Sequence, residues 1–225
     1  MRYYRITYCL LPLAIIFYSN NCMSQHKVIY GIKSGVGVWQ FMSLKGNPNS
    51  GAPLKRSYPL GISFGFYVEN ILSDNFSLIN ELTYEYTKAE INIYTGIEGQ
   101  LNQRVTSQFL DIPVLLKYRT PALWNTYCLI GPGIAILLDA NYSYYDHIYS
   151  FYKGEVNITK ELPTVNIFIN IGIGKEFGLL KSNLIIELVG KIGINKNQYK
   201  GNLIYYDIGE WKNVGAFILV GLRLR

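Results

Sequence analysis

The sequence predicts an all-β fold: an eight-stranded antiparallel up-and-down transmembrane β-barrel. Three observations predict it. Eight segments alternate apolar and polar residues, their connections alternate between tight and long, and one face of each segment is aliphatic or aromatic. Period two marks a strand with two unlike faces.

The segments run roughly Val28–Phe41, Pro59–Ile71, Phe76–Ile91, Arg104–Arg119, Thr126–Asp139, Thr164–Phe177, Asn183–Asn195 and Asn213–Arg225. In the second, Leu60, Ile62, Phe64, Phe66 and Val68 oppose Gly61, Ser63, Gly65, Tyr67 and Glu69. In the third, Leu78, Leu82, Tyr84 and Tyr86 oppose Ser77, Glu81, Thr83 and Glu85. The fourth sets Leu110, Ile112, Val114, Leu116 and Tyr118 against Asp111, Lys117 and Arg119. The sixth places Val165, Ile167, Ile169, Ile171 and Ile173 against Asn166, Phe168, Asn170, Gly172 and Gly174. In the seventh, Leu184, Ile186, Leu188, Ile192 and Ile194 oppose Glu187, Lys191, Gly193 and Asn195. The last sets Ile218, Val220, Leu222 and Leu224 against Gly221, Arg223 and Arg225.

Tight links follow the second, fourth and sixth strands: "LSDN", "TPALWN" and "GLLKS". Long ones follow the others: Met42–Tyr58, Asn92–Gln103, Ala140–Pro163 and Lys196–Lys212. Strands that cross a barrier up and down produce this alternation, with short periplasmic turns and long extracellular loops. A Greek-key sandwich has no reason to segregate loop lengths. An even strand number then puts both termini on the periplasmic side.

The second face collects Lys33, Glu69, Glu81, Glu85, Asp111, Lys117, Glu176, Glu187, Lys191 and Arg223. In a narrow barrel these charges must pair, because an unpaired buried charge is very costly. The solvated outer face of a soluble sheet would also carry mixed charges, but it leaves the uniform apolar face unexplained. The expectation is lipid outside and an ion-paired interior. Aromatic residues near strand ends fit interfacial girdles: Tyr30 and Trp39, Tyr84 and Tyr86, Tyr118 with Trp124, and Phe177.

The first residues read as an export signal spanning 1–24, leaving 25–225 as the barrel. Arg2 and Arg5 form a basic start, and "LLPLAIIFY" is apolar but too short to span a bilayer. Cys22 and Ser24 fit a signal-peptidase site; a lipoprotein acylated at Cys22 ranks second, since Asn20 and Asn21 suit a lipobox poorly. Cleavage removes two of the 21 basic residues and none of the 15 acidic ones, leaving a balance of +4 without a Lys/Arg cluster. Nucleic-acid binding is therefore not supported. Cys128 is then the one cysteine left, which excludes an internal disulfide and a cysteine-based metal site.

"FLDIPVLLKYR" at Phe109–Arg119, "YGIKSGVGVWQF" in the first strand, "NIGIGKEF" at Asn170–Phe177 and the close "FILVGLRLR" carry a resemblance. Over essentially its whole mature length the chain resembles the PorT-like outer-membrane β-barrel family of the Bacteroidetes. The resemblance implies an outer-membrane barrel surrounded by lipid and inserted by the barrel-assembly machinery. It also allows other envelope or secretion proteins as partners, and a role in protein secretion. The chain departs from many outer-membrane strands by finishing on Arg225 instead of an aromatic residue.

Chemistry-bearing constellations are sparse. His147 lies in the longest connection with Asp139, Asp146, Ser143 and Ser150 near it, so a hydrolase arrangement can be drawn. Nucleophilic catalysis needs a base held by a third group, and no supporting frame such as Gly-x-Ser-x-Gly appears. No spacing suits a closed metal site, and no cofactor is expected. Gly131-x-Gly133 and Gly172-x-Gly174 lack the strand-to-helix setting of a dinucleotide loop; glycine in a barrel strand relieves crowding. The best binding candidate is Tyr142, Tyr144, Tyr145, Tyr149, Phe151 and Tyr152, crowded into one extracellular loop. Tyrosine gives large amphipathic contact area with few rotors. The competing reading is that strands extend beyond the bilayer and these rings pack along the extension. The expectation is a non-enzymatic structural, adhesive or envelope-assembly barrel. The alternatives are a small outer-membrane enzyme and a soluble periplasmic barrel that carries an apolar ligand.

Overall fold

The computed structural model describes residues 27–42, 54–57, 60–94, 100–120, 125–146, 153–179, 182–195, 197–198 and 210–224. Eight long strands form the wall: β1 (Val28–Met42), β3 (Leu60–Ile71), β4 (Phe76–Tyr94), β5 (Gln100–Arg119), β6 (Thr126–Asp146), β8 (Val165–Leu179), β9 (Ser182–Gly193) and β11 (Glu210–Leu224). Each pairs antiparallel with the next, and β1 closes on β11 from Tyr30 opposite Leu224 to Met42 opposite Lys212. Closure removes every free edge from the wall. Three short strands extend it at the loop end: β2 (Leu54–Ser57) on β4, β7 (Lys153–Asn157) on β6, and β10 (Asn197–Gln198) on β11.

The turn end is built tightly. Leu72 and Ser73 both donate backbone N–H groups to Phe76 O, at 2.9 and 3.0 Å. At the β5–β6 connection Asn125 has φ of 61°, a left-handed conformation that asparagine tolerates better than most residues.

At the other end the strands run further than the alternation predicts. Residues 92–94 and 100–103, expected as loop, are strand, and so are 140–146 and 153–157. Beyond the lipid both faces of a strand can be polar, so the period-two signal disappears while the ladder continues. A bulge accompanies the extension of β6: Gln108 faces Asp139 but Phe109 faces Leu137, which leaves Leu138 as an extra residue. Inward positions of β6 are odd-numbered up to Leu137 and even-numbered at Ala140 and Tyr142.

The two faces differ as lipid and lumen require. Outward residues of β8 from Val165 to Ile173 are exposed isoleucines and a valine, with Ile171 at 51 %. β3 adds Leu60, Ile62, Phe64 and Phe66; β9 adds Ile186, Leu188 and Ile192; β11 adds Ile218, Val220 and Leu222. Water does not tolerate a continuous belt of this extent, which removes the soluble-barrel alternative. On β4 the belt runs from Phe76, packed on Tyr118 with ring centroids 5.0 Å apart, to Tyr84 and Tyr86. Ten residues of tilted strand span roughly 25 Å, the height of an outer-membrane barrel's apolar band.

One expected girdle residue is placed differently. Trp39 is 3 % exposed and points into the barrel. Its number has the parity of Lys33, and on a strand parity decides the side whatever the residue's affinity for interfaces. Tyr30, Tyr84, Tyr118 and Phe177 do point outward; Trp124 lies outside the described residues.

Candidate functional site

The chemistry of this protein is concentrated inside the barrel, in three charged tiers. Nearest the turns, Lys117 contacts Glu176 and also reaches Glu69 at 3.2 Å. Arg119 binds Glu69 at 2.6 Å, and Arg223 donates to Glu176 Oε2 at 2.7 Å. In the middle tier, Lys33 Nζ donates to Glu81 Oε1 at 2.5 Å and to Glu187 Oε2 at 2.8 Å. In the third, Lys191 holds both Glu85 and Asp111. Six carboxylates thus meet five cations, and among these groups only Arg119 and Arg223 are more than slightly exposed. The ten residues expected on this face are brought together, joined by Arg119, which the fourth segment's pattern placed on the same face, and by Tyr127, to which the pattern had not pointed.

Tyr127 is the link between tiers. Its hydroxyl donates to Glu187 Oε1 at 2.7 Å, while Lys117 Nζ stands 4.1 Å from its ring centroid. Aromatic rings elsewhere shield the lysines in the same way: Lys33 lies 4.8 Å from the Tyr67 centroid and Lys191 lies 5.3 Å from that of Phe217.

Small residues make room for these groups. Lys33 sits between Gly65 on β3 and Gly221 on β11. Four large inward rings face a glycine directly across the ladder: Tyr67 opposite Gly31, Tyr127 opposite Gly174, Trp39 opposite Gly215 and Phe217 opposite Gly37. A Cβ at any of these four glycines would overlap the facing ring.

Above the third tier the lumen is aromatic. Trp39 meets Phe168 at 5.7 Å, Phe217 at 6.1 Å and Phe109 at 6.4 Å. A cavity of about 20 Å³ follows, lined by Trp39, Phe109, Leu137, Leu162, Asn166 and Asn213 among others. That volume holds roughly one water molecule. Ile158, fully buried, belongs to the same packed interior, and Leu162 packs against it.

The tyrosine cluster is dispersed. Tyr142, expected in a loop, is 3 % exposed in strand β6 and belongs to the packed interior, because the Leu138 bulge turns even positions inward. Tyr144 and Tyr145 also lie on β6. Tyr149, Phe151 and Tyr152 fall outside the described residues, as do His26, His147 and Ser150. Asp139 serves the architecture. It accepts hydrogen bonds from Asn141 at 2.9 Å, Asn157 at 2.8 Å and Thr159 at 3.1 Å, tying β7 to the bulge of β6. Among the described residues no group of three His, Cys, Asp or Glu side chains could hold a metal ion.

A closed antiparallel barrel with an apolar belt and an ion-paired lumen defines an integral membrane β-barrel protein. The family described as "Outer membrane protein beta-barrel domain" matches residues 18–198. The chain belongs to that family, and its place is the outer membrane. Among solved structures it is similar to the outer membrane protein OprG from Pseudomonas aeruginosa, with 11% identity, 89% of this chain and 97% of that one covered, and a TM-score of 0.47. It is also similar to Ail, the attachment invasion locus protein of Yersinia pestis, at 10% identity, 88% and 99% coverage and a TM-score of 0.38. The outer membrane protease OmpT from Escherichia coli matches at 9% identity, 88% and 95% coverage and a TM-score of 0.38. No curated protein matches in sequence.

Proposed function

We propose that this protein is a non-enzymatic, non-conducting outer-membrane scaffold with a structural, adhesive or envelope-assembly role, including the secretion-related work of PorT-like barrels. In this reading residues 1–24 are a cleaved export signal, residues 25–225 form the barrel, both chain ends face the periplasm, and the long connections face outward. Its partners are outer-membrane lipid, the barrel-assembly machinery during insertion, and other envelope or secretion proteins. The observation that supports it best is the filled lumen: three ion-paired tiers and an aromatic layer occupy the space a pore would need. Eight strands leave an interior just wide enough for side chains, whereas porins use about sixteen. Purified protein in a planar bilayer is expected to give no stable large single-channel current; such a current would overturn the reading.

The adhesive variant draws on the β6–β7 hairpin. Its stem, residues 141–145 of β6 paired with 153–157 of β7, is fixed by the hydrogen bonds converging on Asp139. Replacing Tyr149, Phe151 and Tyr152 together by Ser is expected to reduce surface adhesion while the unboiled gel mobility stays that of the folded barrel. Unchanged adhesion would remove the tyrosines from the binding role.

A further inference from the structure

The outward faces of β4 and β5 differ at their two ends. At the turn end the rim is aromatic, formed by Phe76 and Tyr118, and the nearby cations Lys117 and Arg119 point into the lumen. At the loop end two cations point outward, immediately above the belt. Lys88 follows Tyr86 by two residues, with its Nζ 5.4 Å from that ring's centroid. Arg104 lies on the neighbouring strand, and its side chain is 52% exposed.

Register places the two cations together. Lys88 faces Thr106, and Glu90 faces Arg104, so Lys88 and Arg104 are diagonal neighbours across the ladder. Diagonal neighbours are about 7 to 8 Å apart, and both side chains are long enough to converge on one group. Glu90 Oε1 accepts from Arg104 Nε at 2.6 Å and pairs with Nη2 at 2.5 Å. A guanidinium has five N–H donors, so this single oxygen orients the fork and leaves donors free toward solvent. Apart from Glu90, the residues beside the two cations are polar and uncharged: Thr106 lies between them, and Tyr84 donates its hydroxyl to Gln108 at 3.1 Å.

We infer that Lys88 and Arg104 form a binding face for the phosphate of a phosphorylated glycolipid in the outer leaflet, whose acyl chains lie along the β4–β5 belt. The inference rests on the orientation proposed above. Two features favour a lipid over a free anion. The cations stand at the level where the apolar belt ends, which is headgroup depth. Below them Leu82, Leu110, Leu116 and the aromatic rim offer a continuous apolar track, already part of the membrane-facing surface.

The test uses full-length barrel folded in detergent, with lipid A as the probe and native mass spectrometry as the readout. The double variant Lys88→Gln with Arg104→Gln is expected to bind lipid A about thirtyfold more weakly than wild type. Dephosphorylated lipid A should bind wild type and variant alike. Equal binding of lipid A by both proteins would overturn the inference. So would displacement of lipid A from wild type by inorganic phosphate, which would assign the cations to a free anion. Unboiled gel mobility checks that the variant folds. Orientation is read separately: Glu155→Cys in a Cys128→Ser background should react with an impermeant maleimide on intact cells. Reaction only after permeabilisation would overturn the outer-leaflet source, whatever the binding result in detergent.

Discussion

Tyr127 donates its hydroxyl proton to Glu187 at 2.7 Å, and through that bond the charge cluster around Lys117 meets the one around Lys33. Tyr67 occupies a comparable inward position on β3, yet its buried hydroxyl has no partner among the described residues. The pair sets a controlled comparison. Tyr127→Phe removes a hydrogen bond to a charged acceptor and should cost about 1.5 to 3 kcal/mol. Tyr67→Phe removes an unpaired polar atom and should be neutral or stabilising. Urea midpoints of barrels refolded in lipid vesicles measure both; equal losses would mean that Tyr127 does not couple the tiers.

The third tier separates the worth of a charge pair from the cost of breaking it. Lys191 neutralises Glu85 and Asp111, and all three are buried. Lys191→Met strands two carboxylates in the lumen and should lower stability by about 3 to 5 kcal/mol, or prevent folding outright. Replacing the whole group, with Lys191→Met, Glu85→Leu and Asp111→Leu together, should restore the folded mobility on an unboiled gel, since apolar side chains of similar volume need no partner. A triple variant as impaired as the single one would show that the charges serve folding in some way beyond mutual neutralisation.

Much of this architecture was legible because lipid and lumen impose opposite demands on alternate residues. Lys33, Glu81 and Glu187 fall on one parity of their strands, and closure brings β1, β4 and β9 within reach of one another. Trp39 was open to the same rule, but its residue type suggested an interface, and parity outranks preference. Tyr142 was not legible. One inserted residue at Leu138 reverses inside and outside and leaves no compositional trace. The extension of β6 was legible as the competing reading of the tyrosine cluster, while that of β4 and β5 was not, because a strand wet on both sides carries no apolar period. Arg119 shares parity with Lys117 and could have been included; Tyr127 lay on a strand whose faces are obscured by Gly131, Pro132 and Gly133.

The ring-over-glycine pairs predict a coupled response. Gly215 lies directly opposite Trp39, and a Cβ there would run into the indole. Gly215→Ala alone should destabilise by about 1 to 3 kcal/mol, through overpacking. Trp39→Leu alone should cost several kcal/mol as a cavity opens beside Phe168 and Phe217. In the double variant the added methyl group enters space that the indole has vacated, so the combined loss should be smaller than the sum. Strict additivity in urea titration would show that the two residues do not share that space.

Depth in the membrane gives the last prediction. Ile171 lies midway along the outward row of β8, between Val165 and Phe177, and so at the centre of the belt. An arginine there must carry its charge through hydrocarbon to reach either surface, at a cost of about 2 to 4 kcal/mol near the midplane. Thr106 also points outward, but above the aromatic rim formed by Tyr84 and Tyr86, where an arginine reaches water without crossing lipid. Ile171→Arg should therefore lower the urea midpoint in lipid vesicles markedly, while Thr106→Arg leaves it nearly unchanged. Folding in a detergent micelle should narrow the difference, because a micelle deforms around the charge more easily than a bilayer does. Two equal midpoints in vesicles would mean that the row from Val165 to Phe177 does not face hydrocarbon.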